Sequence, residues 1–253
     1  MQLNKIGFLD PGFAGLRVMQ SVVQRLPQHD FVYLACGVQA RAAAKGLQFL
    51  FEQQCSIVVI PGVRLFQHLQ PLSVAGKEFF GAAEPVALAA TSQTRNNHIG
   101  IITRNDTKCA ELFAAEIRRF APETKIYQQS CPLLVPLIEA GRQQTDAMRM
   151  VLRGYLEPLI RGNIDVLILG NTQYGFIKAL AEEIVGKQVK VIDEGTALST
   201  QLAEFLATHP AVEQQMSRRN HRQFFCVDEA KKAFDALAQQ FYGVPVEARE
   251  VTL

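Results

Sequence analysis

Short apolar runs alternate along the chain with stretches whose apolar residues recur at three- and four-residue steps. Ile6-Gly7-Phe8-Leu9-Asp10 reads as a strand, and Leu16, Met19, Val23 and Leu26 mark one face of a helix behind it. Residues 31–34 give a second strand. Ala43, Leu47, Leu50 and Phe51 give a second helix, and residues 57–60 a third strand. Near-continuous apolar strands of this kind belong to parallel sheets covered on both faces. The pattern then restarts. Residues 99–103 again begin Ile-Gly, and Cys109, Leu112, Phe113, Ile117 and Phe120 follow on one helical face. Residues 166–170 echo 57–60, with Phe176, Ile177, Leu180 and Ile184 behind them. Residues 190–193 and 224–227 are further strands, and Ala230, Ala233, Phe234, Leu237 and Phe241 a last helix. The alternation predicts an α/β architecture of mostly parallel sheets with right-handed crossovers. The restart predicts two similar halves, with the polar stretch 91–98 as the crossing. The expected domains are 1–95 plus 207–253, and 96–206.

Ligands in such sheets sit outside the carboxyl ends of the strands. That rule nominates residues 10–12, 36–43, 61–64 and 171–175. Asp10-Pro11-Gly12-Phe13-Ala14-Gly15 follows a strand and opens a helix, whose free N–H groups can meet an anion. It is one glycine short of a dinucleotide fingerprint, and a helix start capped by Asp10 is the plainer reading. Gly170-Asn171-Thr172-Gln173 puts polar side chains directly after a buried strand, where loops carry function; the plainer reading is a turn that caps the next helix. In Pro61-Gly62-Val63-Arg64 only Arg64 can do polar work.

The 253 residues suit one large domain or two small ones. With 48% hydrophobic and 20% charged residues, the composition argues against general disorder. A net charge of +2 without any like-charge block demands neither a nucleic-acid nor a membrane partner. Apolar runs stay under about ten residues, short of a membrane span, and no secretory signal is expected. Cys36, Cys55, Cys109, Cys131 and Cys226 are odd in number and widely spaced, with no CxxC pair. They read as reduced thiols of a cytoplasmic protein, and no metal site is expected.

From Ile6 to the C-terminus the chain resembles bacterial glutamate racemase, within the aspartate/glutamate racemase superfamily. The resemblance rests on Ile6-Gly7 with Asp10, Gly12 and Gly15-Leu16, on Arg25-Leu26-Pro27, and on Tyr33-Leu34. Its most specific segment is Cys131-Pro132-Leu133-Leu134-Val135-Pro136-Leu137-Ile138-Glu139-Ala140-Gly141. Residues 165–170, Ile192-Asp193 with Gly195, and the tail from Phe224 also fit. The resemblance implies two pseudo-symmetric three-layer α/β/α halves with a cleft between them. It implies cofactor-independent inversion of glutamate, an isomerase supplying the D-isomer for peptidoglycan of the cell wall. That chemistry needs two bases on opposite faces of the α-carbon, which the family provides as one cysteine from each half.

At those positions the sequence departs from the family. Cys-Asn-Thr falls on Gly62-Val63-Arg64 and Cys-Thr-His on Asn171-Thr172-Gln173. Glycine has no side chain, and an amide is not a base near neutral pH. Asp-Ser-Gly has become Asp10-Pro11-Gly12, and Pro-Tyr-Gly has become Arg41-Ala42-Ala43. Asp10, Gly12, Thr172 and the supporting acid Glu139 survive. Cys36, near the end of the second strand, is the one thiol placed to approach the cleft; Cys131 is structural in the family. Losing both proton-transfer groups removes about 10²–10⁴-fold each.

Three readings follow. In the first, the chain is a pseudoenzyme whose cleft receives a small carboxylate or other anion through Arg41, Arg64 and Arg104 with Asn171, Thr172 and Gln173; its plainer counterpart has the arginines closing the cleft on Asp10 or Glu139. In the second, it is a regulatory or interaction module, as a homodimer or paired with an active racemase. In the third, it is a single-base isomerase or lyase with Asp10 as the base.

Overall fold

The apolar runs form strands within two residues of where the pattern puts them. The computed structural model describes residues 3–37, 40–69, 74–105 and 107–253, with side chains at all of these except 40, 41 and 228–230. Two compact units emerge, Met1–Ala82 with Leu198–Leu253, and Ala83–Ala197.

The first unit opens with β1 (Lys5–Asp10), α1 (Leu16–Arg25), β2 (Phe31–Ala35), α2 (Ala40–Glu52), β3 (Cys55–Ile60), α3 (Val63–Leu69) and β4 (Glu78–Gly81). The second contains α4 (Ala83–Gln93), β5 (His98–Thr103), α5 (Thr107–Phe120), β6 (Lys125–Ser130), α6 (Leu134–Glu139), α7 (Asp146–Arg161), β7 (Val166–Leu169), a 3₁₀ turn (Thr172–Ile177), α8 (Lys178–Val185) and β8 (Lys190–Asp193). Then α9 (Glu194–Thr208) crosses the boundary, and α10 (Pro210–Glu213), β9 (Arg222–Cys226), α11 (Asp228–Tyr242) and β10 (Arg249–Glu250) complete the first unit.

Both sheets are parallel throughout. Their orders are β10-β9-β2-β1-β3-β4 and β6-β5-β7-β8. In each, the unit's first strand lies between its second and third, and the fourth closes the far edge. The repetition heard in the two Ile-Gly openings is thus a repetition of topology, with β9 and β10 added to one sheet only.

Position in the sheet explains which elements the pattern shows. Every residue of β2 and β3 is buried, so β2 and, past Ser56, β3 read as apolar runs. β6 pairs only with β5 and alternates between exposed and half-buried positions; its sequence KIYQQS therefore carries no apolar run. The stretch 91–98, read as a polar crossing, instead closes α4 with its first three residues. Thr91 Oγ1 donates to the Ala87 carbonyl at 2.9 Å and Ser92 Oγ to Ala89 at 3.1 Å, so the hydroxyls are satisfied on the helix itself. Among the described residues, no helix is long and apolar enough to cross a membrane.

Candidate functional site

The switch in strand order gives each sheet one favoured ligand position, at the carboxyl ends of its first and third strands. In the first unit these ends are Asp10 and Gly62. In the second they are Arg104 and Asn171.

Asp10 ends β1 and is only 4% exposed. Burial raises its pKa above the ordinary 3.8, against the opposing pull of the Gly12 and Gly15 N–H groups and the Tyr33 hydroxyl. The Gly12 N–H donates to Asp10 Oδ1 at 2.8 Å, and Tyr33 Oη donates to the Gly12 carbonyl at 3.0 Å. Phe13 packs edge-on against Phe241, ring centroids 4.8 Å apart, and ties the loop to α11. Asp10 is therefore not the helix cap the sequence reading offered. α1 starts after Gly15, which has no side-chain cap, and the carboxylate braces the preceding loop by bonding two residues ahead of itself. Gly15 is required there by space, because a Cβ would stand 2.8 Å from Asp10 Oδ2.

Cys36 follows β2. Its N–H donates to the Asp10 carbonyl at 2.8 Å, and its Sγ lies 3.5 Å from the Gly37 carbonyl. The thiol is fully buried; desolvation, with the Asp10 charge beside it, pushes it up to about 12. Gly62 precedes α3, and Val63 and Arg64 form that helix's first turn with Arg64 exposed. The nearest atom to a Cβ built on Gly62 is Leu65 Cβ at 3.7 Å, so a side chain would fit. Arg41 lies on α2, but its side chain is outside the described residues.

In the second unit, Asn171 caps the 3₁₀ turn: its Oδ1 accepts the Gln173 N–H at 3.0 Å. Gln173, 7% exposed, donates through Nε2 to Glu139 Oε1 at 3.0 Å. Its Oε1 is buried and has no hydrogen-bond partner among the described residues. The partner of Glu139 is thus a residue of the loop itself. Thr172 starts the 3₁₀ turn, half-buried. Two pairings absent from the sequence reading complete this edge. Tyr174 Oη donates to the Cys131 carbonyl at 3.2 Å, and Lys178 Nζ lies 2.6 Å from Asp193 Oδ2. Tyr174 and Lys178 lie five and nine positions past the end of β7, which was the only available signal for either, and the pairings themselves are contacts across the fold.

Arg104 is exposed; its charge opposes the upward shift that burial imposes on Tyr174. Burial pushes the thiols of Cys55 and Cys131 up to about 12 and raises that of Cys226. A thiol so placed stays protonated near neutral pH. Cys109, read as a core residue, is only half-buried, because it lies on the flank of α5 rather than on the face that carries Ala110, Phe113 and Ile117. Among the described residues no three His, Cys, Asp or Glu side chains gather as a metal site.

No family model matches the chain. A glutamate racemase from Ectopseudomonas mendocina is 33% identical over 228 residues, covering 81% of this chain and 86% of that protein. One from Levilactobacillus brevis is 30% identical over 100% of this chain and 96% of its own length. Among solved structures, glutamate racemase isoform RacE1 from Bacillus anthracis superposes with a TM-score of 0.84 at 20% identity, covering 100% of this chain and 99% of that one. The Francisella tularensis glutamate racemase, crystallised in complex with D-glutamate, gives 0.80 at 21% identity and covers 98% of that chain.

Proposed function

The chain belongs to the glutamate racemase family, and within that family we propose that it has lost two-thiol proton transfer and keeps its strand-end loops as a receptor for a small carboxylate. The observation that carries this reading is the state of the two strand ends where the family's thiols fall. Gly62 offers no side chain, and the Asn171 amide is engaged as the cap of a 3₁₀ turn. Four of the chain's five thiols are poor replacements, and the fifth, Cys109, is half-buried on the flank of α5. Cys36, Cys55, Cys131 and Cys226 are all buried, with their pKa values raised.

Asp10 is a poor candidate for a lone base. Its carboxylate holds the loop together through Gly12 and lies against Gly15. Within the first unit the Gly12 turn and the exposed Arg64 guanidinium stand at strand ends, with Arg41 by sequence position; within the second, the Thr172 side chain does. Guanidinium and hydroxyl groups suit a carboxylate through charge-assisted hydrogen bonds. D-glutamate bound to the Francisella relative makes a dicarboxylic amino acid the first ligand to try.

The purified chain is expected to bind D- or L-glutamate, aspartate or a small dicarboxylate by isothermal titration. It is expected neither to interconvert glutamate enantiomers nor to exchange the α-hydrogen in deuterated water. Brisk interconversion would overturn the loss of chemistry. Absence of heat with every one of these ligands would overturn the receptor.

A further inference from the structure

The amino edge of the first sheet carries a construction of its own. Lys5 begins β1, Asp30 precedes β2, and Arg222 begins β9. With Ser217, Arg219, Asn220 and His221 they line a cavity of about 700 Å³. It lies at the opposite ends of the strands from Asp10 and Gly62.

The cavity is braced from below. The carboxylate of Asp30, almost wholly buried, holds the loop at three points. Oδ2 accepts the Ser217 hydroxyl at 2.8 Å, while Oδ1 accepts the Arg219 N–H at 2.9 Å and the His221 N–H at 3.0 Å. The loop turns through Asn220 in the left-handed region, at φ 59°. Arg222 is fixed as well: its guanidinium donates to the His29 and Pro27 carbonyls, each at 2.7 Å, and lies 4.8 Å from the centroid of the Phe31 ring. Lys5 Nζ is oriented by Gln223 Oε1 at 3.0 Å. Arg218 turns away to pair with Glu213. Arg219 and His221 bind Asp30 through their backbone N–H groups, and both side chains are exposed at the rim, with His221 Nδ1 4.0 Å from Asp30 Oδ2.

Three permanent cations therefore share this cavity with one carboxylate whose oxygens are already taken. The lining is largely polar, so a ligand is held by charge and hydrogen bonds rather than by apolar burial. The Arg219 guanidinium fork fits phosphate oxygens two at a time, while Arg222, held on backbone carbonyls, and Lys5 add positive charge. A volume in the range of small-molecule pockets leaves room for an organic group beside the phosphate. We propose that this cavity is a second binding site, for a phosphorylated small molecule.

The test is isothermal titration of the full chain with inorganic pyrophosphate at low ionic strength, with citrate as a carboxylate of comparable charge. Pyrophosphate is expected to bind, to weaken with salt, and to outcompete citrate. Arg219→Glu is expected to weaken it at least about tenfold. His221→Ala keeps the backbone N–H held by Asp30 and provides a second variant, and the His221 ring signals should shift on titration. No binding, equal binding of citrate, or a loss that follows Arg64→Ala rather than Arg219→Glu would each overturn the proposal.

Discussion

β3 and β7 occupy the same place in their sheets and end differently. After β3 the chain passes through Pro61-Gly62 straight into a helix, and among the described residues beyond its chain neighbours the nearest atom to a would-be Cβ on Gly62 is 3.7 Å away, which leaves room for a side chain. After β7 the strand end is filled. Asn171 caps a 3₁₀ turn, Gln173 reaches back to Glu139, and Tyr174 bonds the Cys131 carbonyl. The same topological position can thus carry no side chain at all, as at Gly62, or carry a polar one turned inward to hold the fold, as at Asn171.

The largest change should come from returning thiols to both ends at once. Gly62→Cys with Asn171→Cys is expected to raise α-hydrogen exchange of glutamate in deuterated water by about 10² or more over the parent chain. A double variant no better than the parent would break the equivalence of the two ends. Next comes the filled end by itself. Glu139→Ala leaves the buried Gln173 amide without an acceptor and should cost about 1–3 kcal/mol in urea unfolding, whereas Asn171→Ala removes only the cap and should cost about 1 kcal/mol. Glycines of the first unit provide a sharper contrast. Gly15→Ala drives a Cβ into Asp10 and should cost about 1–3 kcal/mol, while Gly62→Ala should move stability by less than about 1 kcal/mol. Equal costs would show that the end of β3 leaves no room for a side chain.

The smallest effect compares the aspartates that end β1 and β8. Burial raises Asp10, so its contribution to stability is complete below the ordinary 3.8 and disappears as pH rises through its raised pKa. Asp193 is also buried, but Lys178 and Thr196 outweigh the desolvation and lower it. Its contribution is complete above 3.8 and disappears as pH falls through its lowered pKa. On acidification from pH 7, the advantage of the parent over Asp10→Asn should therefore grow, and that over Asp193→Asn should shrink. Slopes of the same sign in pH-dependent urea melts would refute the contrast.

The central strands were legible because burial on both faces favours apolar residues at nearly every position, as in β2 and, apart from Ser56, β3. β6 was not, since one flank of an edge strand is open and Lys125, Gln128, Gln129 and Ser130 are stable there. The loops after β1, β3 and β7 were found from strand-end position alone. What each side chain does in its loop was not legible. Asp10 was read as a helix cap and braces a turn instead, because the chain needs five more residues before α1 begins.

Local order along the chain was enough to define strand, helix, the repeated half and the absence of sulfur at residues 62 and 171, because these depend on residue type and spacing. Folding decided the pairings: Gln173 with Glu139, Lys178 with Asp193, and Asp30 with a loop nearly two hundred residues away. Hydrogen bonds and ion pairs act over about 3 Å, and separation in sequence says nothing of separation in space. Whether a polar residue meets a ligand or supports the fold is therefore settled by its neighbours across the sheet edge.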